Sequence, residues 1–211
     1  MQVLWRPVVG FDLDMTLIDS RPGIGAVLTE LAARRAVYID VPAVLERLGP
    51  PLDVELANWF PADQVAGAAD EFRALYPELA IAATLPLPGA RQALAAVRGA
   101  GGVSVVITAK YGPNAWLHVH HLGLDVDHVE GWRWGPAKGA ALVEHGAQAL
   151  VGDHAGDMVG ARTVGATAVG VTTGGHSVAD LRESGADIVL TDLTEFDAWF
   201  KGWLTERAAD E

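Results

Sequence analysis

No cysteine occurs anywhere in the 211-residue chain, so disulfides, thiolate metal sites and cysteine nucleophiles are excluded together. Lysine is nearly as scarce, with only Lys110, Lys138 and Lys201. Basic residues number 15 against 27 acidic ones, a formal net charge of −12, and a chain so short of positive charge is not built to grip a nucleic-acid backbone. Long apolar runs are missing too. The longest stretch free of Asp, Glu, Lys and Arg covers 163–179 and is broken by four glycines and His176, too short and too interrupted to span a bilayer. The first residues reach Arg6, Pro7 and the acidic FDLD without a sustained apolar signal region. The expectation is a soluble, unprocessed, cytoplasmic protein, monomer or homodimer, that meets neither nucleic acid nor membrane.

What is present is a globular balance, half hydrophobic and a fifth charged, in a length that suits one domain or one with a sizeable insertion. Short β-branched apolar runs recur as VVGF before Asp12, VSVVIT at 103–108, ALVG before Asp153, TAVGVT at 167–172 and DIVL at 187–190. Such runs suit buried parallel strands. Helical patterns begin at 88, 113, 136 and 157, each opening with Pro or Asp and ending near Gly. Strand and helix in alternation predict an α/β fold with an open parallel sheet covered on both faces. Roughly residues 20–84 break the alternation, with consecutive helical segments and breaks at VP before Ala43, at LGPPL (48–52) and at FPAD (60–63). This predicts a sheet domain from 1–18 and 85–211, and a helical insertion at 19–84.

In open α/β sheets ligands bind beyond the carboxyl ends of the strands, where this sequence concentrates its polar residues. The first strand runs into Asp12, Leu13, Asp14, Met15 and Thr16, and two carboxylates so close favour a bound cation. The strand at 103–108 ends in Thr108, Lys138 precedes the next strand, and ALVG ends in Asp153 with Asp157 four residues on. Together these offer a nucleophilic carboxylate, a second carboxylate, a hydroxyl, an ammonium and an acidic cluster suited to Mg²⁺, a set fitted to phosphoryl transfer.

VVGFDLDMTLIDS, VVITAK, the PAKG lysine and VGDHAGDMVGAR resemble the four ordered motifs of the haloacid dehalogenase superfamily. The helical insertion after the first motif is similar to that of its phosphoglycolate phosphatase-like members, and the likeness covers about residues 7 to 200. The resemblance implies a Rossmann-like core with a small helical cap, Mg²⁺, a small phosphorylated substrate and an aspartyl-phosphate intermediate. It implies Asp12 as nucleophile and metal ligand, and Asp14 as general acid and base that lends its backbone carbonyl to the metal. Thr108 and Lys138 would hold the phosphoryl oxygens with Thr16 and Ala109 beside them, and Asp153 and Asp157 would complete the metal site. Met15 stands where the family usually has Gly, and Lys110 is a rival to Lys138 for the cationic role.

Within the superfamily, Asp14 argues against a dehalogenase, which protonates no leaving oxygen. The absence of lysine from the insertion argues against a Schiff-base hydrolase. A sugar-phosphate mutase shares the motifs, and a phosphorylated receiver domain shares the residue types without the insertion. Arg47, just before the LGPPL turn, is a candidate bidentate partner for an anionic substrate group. His118, His120 and His121 read as a helix surface, His154 as a neighbour of the presumed metal ligand, and Trp132 and Trp134 as packing on one strand face.

Overall fold

The computed structural model describes residues 6–209. In chain order, the first part holds β1 (Val8–Phe11), β2 (Ile18–Asp19), α1 (Arg21–Arg35), α2 (Val41–Glu46), α3 (Leu52–Leu56), α4 (Ala62–Leu79) and β3 (Leu85–Pro86). The middle holds α5 (Ala90–Gly99), β4 (Val103–Ile107), α6 (Gly112–Leu122), β5 (His128–Glu130), α7 (Pro136–His145), β6 (Ala149–Gly152) and α8 (Ala155–Arg162). The last part holds β7 (Thr167–Val171), α9 (Val178–Glu183), β8 (Ile188–Leu190), a 3₁₀ turn at Leu193–Glu195 and α10 (Phe196–Ala209).

Six strands form one parallel sheet in the order β5-β4-β1-β6-β7-β8. The chain leaves β1 towards β4 and β5, then crosses back to build β6, β7 and β8 on the other side, so strand order reverses at β1. A crevice at the carboxyl end of β1 follows from that reversal. Val9 and Phe11 point to one face with α5, α6 and α10, while Val105, Ile107 and Leu150 point to the other with α7, α8 and α9. Every residue of β6 is buried, each Leu or Val side chain contributing roughly 1.5–3 kcal/mol. This is the Rossmann-like sheet, helices on both faces, that the alternation predicts.

Helices α1–α4 bury a hydrophobic cluster of their own, with Val27, Leu28, Leu31, Val44, Leu56, Phe72 and Tyr76 among its members. The strands at the two ends of this helical unit pair with each other, Ile18 with Pro86 and Asp19 with Leu85, so exit and return are tied together beside β1. Pro42 is no break, contrary to expectation: it lies in the first turn of α2, where a missing N–H leaves nothing unbonded. The chain turns earlier, at Ala36, which takes a left-handed conformation with φ 51°. The sequence reading also lacks β5, α9 and α10. β5 is a three-residue edge strand reading HVE, without an apolar run to mark it. In α10, Phe196, Phe200 and Trp203 recur at helical spacing and are buried, and Phe196 packs 5.4 Å from Phe11.

Candidate active site

The loop after β1 is held by the sheet. Asp12 N–H donates to Val151 O at 2.8 Å, extending the ladder by one residue and fixing Asp12 at the crevice. Leu13 is buried, and its carbonyl accepts from the N–H groups of Leu17 and Ile18 at 3.0 and 3.1 Å. This turn puts Met15 at φ 60°, the left-handed conformation that explains why Gly is usual there. A residue with a side chain pays roughly 1–3 kcal/mol for it. Here the Met15 side chain is buried, and its carbonyl accepts a hydrogen bond from the Thr173 hydroxyl.

Three more elements bring their groups to the same point. Lys138 lies in the first turn of α7, and its buried Nζ donates to Asp12 Oδ1 at 2.6 Å and to Asp157 Oδ1. Asp157 begins α8, where its Oδ2 accepts from His154 N–H at 3.0 Å as part of a capping box. It is therefore both a helix cap and a member of the cluster. Asp153, directly after β6, accepts from the Thr16 hydroxyl at 3.1 Å. The loop after β7 passes so near that a Cβ on Gly174 would lie 1.8 Å from Asp153 Oδ2, which only glycine avoids. Carboxylate oxygens of Asp12, Asp153 and Asp157 all lie within 4.8 Å of one another.

Burial pushes the Asp12 carboxyl up to about 7, more than Lys138 pulls it down. Asp153 is driven well above the usual carboxylate range, first by burial and then by the charges of Asp12 and Asp157. On Lys138 the two nearby carboxylates outweigh burial and keep the ammonium charged. Three buried carboxylates around one ammonium leave negative charge uncompensated. A donor set made only of oxygen, with surplus negative charge, fits a hard divalent cation.

Asp14 belongs to a second network. Lys110 Nζ lies 2.9 Å from Asp14 Oδ1 and donates to Tyr76 Oη at 2.7 Å. Tyr76 Oη is in turn 2.9 Å from His118 Nε2. Burial would raise the Asp14 carboxyl, but Lys110, with Ser20 and His118 behind it, outweighs burial and the group is held low. Burial pushes Tyr76 up to about 12. Burial first, and Lys110 second, push His118 down to about 4. With His118 neutral, a Tyr76 O–H that accepts from Lys110 donates onward to Nε2. His118 is therefore buried rather than part of the α6 surface, where His120 and His121 do lie. Among the described residues no metal-holding group includes a histidine. His154 caps α8 through Nδ1 and packs against Trp134 and His176, 4.9 and 4.2 Å between ring centroids.

Between the sheet and the helical unit is a cavity of about 130 Å³. Asp12, Asp14, Thr108, Ala109 and Lys110 lie on the sheet side, and Leu28, Val44, Leu48 and Phe72 on the other. Thr108 is buried, and its hydroxyl accepts from Lys110 N–H at 3.2 Å. Arg47 also lines the cavity, but its guanidinium is bidentate on Glu55 at 2.6 and 3.1 Å, with Nη1 on Ala43 O at 2.9 Å. It is not the free guanidinium that its place before LGPPL suggests. Trp132 and Trp134 are not on a strand face either, because β5 ends at Glu130. Trp132 is 64% exposed and lines the cavity. Tyr76 carries no motif, and its helical pattern alone marks it as core.

The fold and this arrangement define a hydrolase class. Residues 9–162 match the haloacid dehalogenase-like hydrolases and 137–196 match a second, HAD-hydrolase-like family, and the chain belongs to the haloacid dehalogenase-like hydrolases. It is 29% identical over 210 residues to the probable phosphatase IndB of Dickeya dadantii (strain 3937), covering 90% of this chain and 91% of that one. A haloacid dehalogenase-like family hydrolase from Streptococcus pneumoniae superposes with a TM-score of 0.82 at 25% identity, over 92% of this chain and 98% of the other. The fold is also that of a predicted phosphoglycolate phosphatase from Haemophilus somnus, with a TM-score of 0.76, 20% identity, and coverage of 90% and 96%.

Proposed function

We propose that the protein hydrolyses a small phosphomonoester through an aspartyl phosphate formed on Asp12. The observation that carries this reading is the buried set of Asp12, Lys138, Asp153 and Asp157 at the crevice, with Asp14 two residues away facing the same cavity. A relative named a probable phosphatase supports it.

In the first step an Asp12 carboxylate oxygen attacks phosphorus, the bond to the leaving oxygen breaks, and Asp14 gives that oxygen a proton. In the second, Asp14 takes a proton from the water that attacks the same phosphorus, which frees inorganic phosphate and restores Asp12. Asp14 takes the proton it gives in the first step from the monoanionic phosphate ester and leaves that step ionised, the state that its surroundings favour and the second role needs. Thr108, the Ala109 N–H and Lys138 hold phosphoryl oxygens, and Thr16 orients Asp153. Oxygens of Asp12, Asp153 and Asp157, with the Asp14 carbonyl, would hold Mg²⁺, which supplies the charge neutralisation that lets a carboxylate approach a phosphate. Asp14 favours this chemistry over dehalogenation, because halide needs no proton to leave.

Phosphate release from a panel of phosphorylated metabolites should require Mg²⁺ and stop reversibly with EDTA. Asp12→Asn should lower it by more than about 100-fold with an unchanged circular dichroism spectrum. Activity above about one hundredth of wild type in that variant would refute Asp12 as nucleophile.

A further inference from the structure

The cavity of about 130 Å³ opens to the surface and is smaller than the roughly 300–1,000 Å³ of pockets that surround a whole ligand. A phosphoryl group and a few atoms fill it, so a larger leaving group has to pass out across the rim. One side of that rim is aromatic. The loop after β5 is bound to the loop after β4 by backbone hydrogen bonds, Trp132 N–H to Lys110 O and Arg133 N–H to Thr108 O, both at 2.9 Å. The approach is so close that a Cβ on Gly131 would sit 2.4 Å from Gly112 Cα.

Trp132 emerges from this junction at φ 57°, a conformation that bulky side chains rarely adopt, and its indole is mostly exposed. The Tyr111 ring lies 5.2 Å from it at 32°. From α4, on the opposite side of the cavity, the Arg73 guanidinium lies 5.8 Å from the Trp132 ring and 5.9 Å from the Tyr111 ring. Its Nη2 and Nη1 pair with Asp53 and Asp70 at 3.0 and 3.2 Å, which fixes the guanidinium beside the rings. A strained backbone that holds a large indole largely out of the core is a cost to the fold.

Resting on the phosphatase reading above, we propose that this rim binds a planar heteroaromatic ring of the leaving group, and that the substrate is a nucleoside 5′-monophosphate. Two aromatic rings give a stacking face that tolerates any base. Arg73, held in place by Asp53 and Asp70, adds a cation beside those rings. A nucleoside 5′-monophosphate carries both groups on one small molecule, a phosphate for the sheet edge and a ring for the rim. A single phosphate also suits a chain of net charge −12, which disfavours a longer polyanion.

The test compares uridine and adenosine 5′-monophosphates with ribose 5-phosphate, the same ester without the ring. Wild-type kcat/KM should favour the nucleotides by at least about tenfold. Trp132→Ala should bring that ratio close to one, and Trp132→Phe should keep most of it. A wild-type ratio near one, or a ratio that Trp132→Ala leaves intact, overturns the proposal. Calorimetry on Asp12→Asn with uridine 5′-monophosphate and ribose 5-phosphate separates binding from chemistry. Tighter nucleotide binding that depends on Trp132 sustains the ring site even if no phosphate is released, which would refute the hydrolysis reading alone. Equal binding of the two, or none, overturns the ring site.

Discussion

Lys138 and Lys110 are both buried ammonium groups, and each pairs with one aspartate of the loop after β1. Their surroundings differ. Lys138 contacts Asp12 and Asp157, all on elements of the parallel sheet domain. Lys110 links Asp14, on the same loop, to Tyr76 of the helical unit. In the mechanism proposed above, the inner network holds charge where phosphorus binds, and the outer one ties the carboxylate that handles protons to the wall of the cavity. Two residues of separation along the chain are therefore enough to place Asp12 high, at about 7, and Asp14 low.

The comparison is broken most severely at Lys138. Lys138→Ala leaves Asp12 and Asp157 buried without their ammonium, and loss of one partner from a buried ion pair destabilises by about 3–5 kcal/mol. Thermal unfolding should show that fall. kcat/KM should drop by about 10²–10³-fold, as when a preorganised donor to a transition-state oxyanion is removed. A variant that keeps wild-type turnover would take Lys138 out of phosphoryl binding and return the role to Lys110.

Lys110→Met sharpens the contrast, because it keeps the length of the side chain and removes only its charge. Asp14 then loses the main cation that opposes its burial, so its carboxyl rises and it is protonated more of the time, ready as a donor and less often available as the ionised base. The expected result is a loss of roughly tenfold in kcat with the decline concentrated in hydrolysis of the intermediate. A burst of leaving-group release, followed by slow phosphate release, is the readout that a merely structural role would not give. Equal losses in both steps would contradict this division between the two lysines.

The inner network was the legible one. Asp12, Thr108, Lys138, Asp153 and Asp157 each follow a strand or open a helix, so short apolar runs were enough to bring them to one edge. The second partner of Lys110 was not legible, because Tyr76 sits on α4 among Phe72 and Leu75 with the spacing of an ordinary core residue. Its meeting with Lys110 and His118 depends on how the helical unit sits against α6, which no local pattern encodes. Arg47 misled for a related reason: its place before a rigid turn was readable, but Glu55, eight residues on and across that turn, was not. Met15 ran the other way, since the same positive φ that makes Gly usual is observed there with a side chain attached.

The smallest effect concerns His118, the far end of the outer network, and it appears in stability rather than turnover. Burial and Lys110 lower its folded-state value to about 4, against about 6.5 for an unfolded histidine. Between those values the unfolded chain binds a proton that the folded protein does not, so stability rises with pH across that window and is lost as pH falls from about 6.5 towards 4. The contribution is complete above about 6.5 and amounts to roughly 1–3 kcal/mol. His154, also lowered to about 4, chiefly by burial and then by His176, adds to the same slope, so wild type alone does not isolate the effect. His118→Gln keeps a side chain able to meet the Tyr76 hydroxyl and cannot titrate. Its urea unfolding free energy should depend less steeply on pH than wild type between 4 and 6.5, and run parallel to it above 7. Equal slopes in the acid window would mean that His118 takes up its proton in the folded state as readily as in the unfolded one, and that the link from Lys110 through Tyr76 does not reach it.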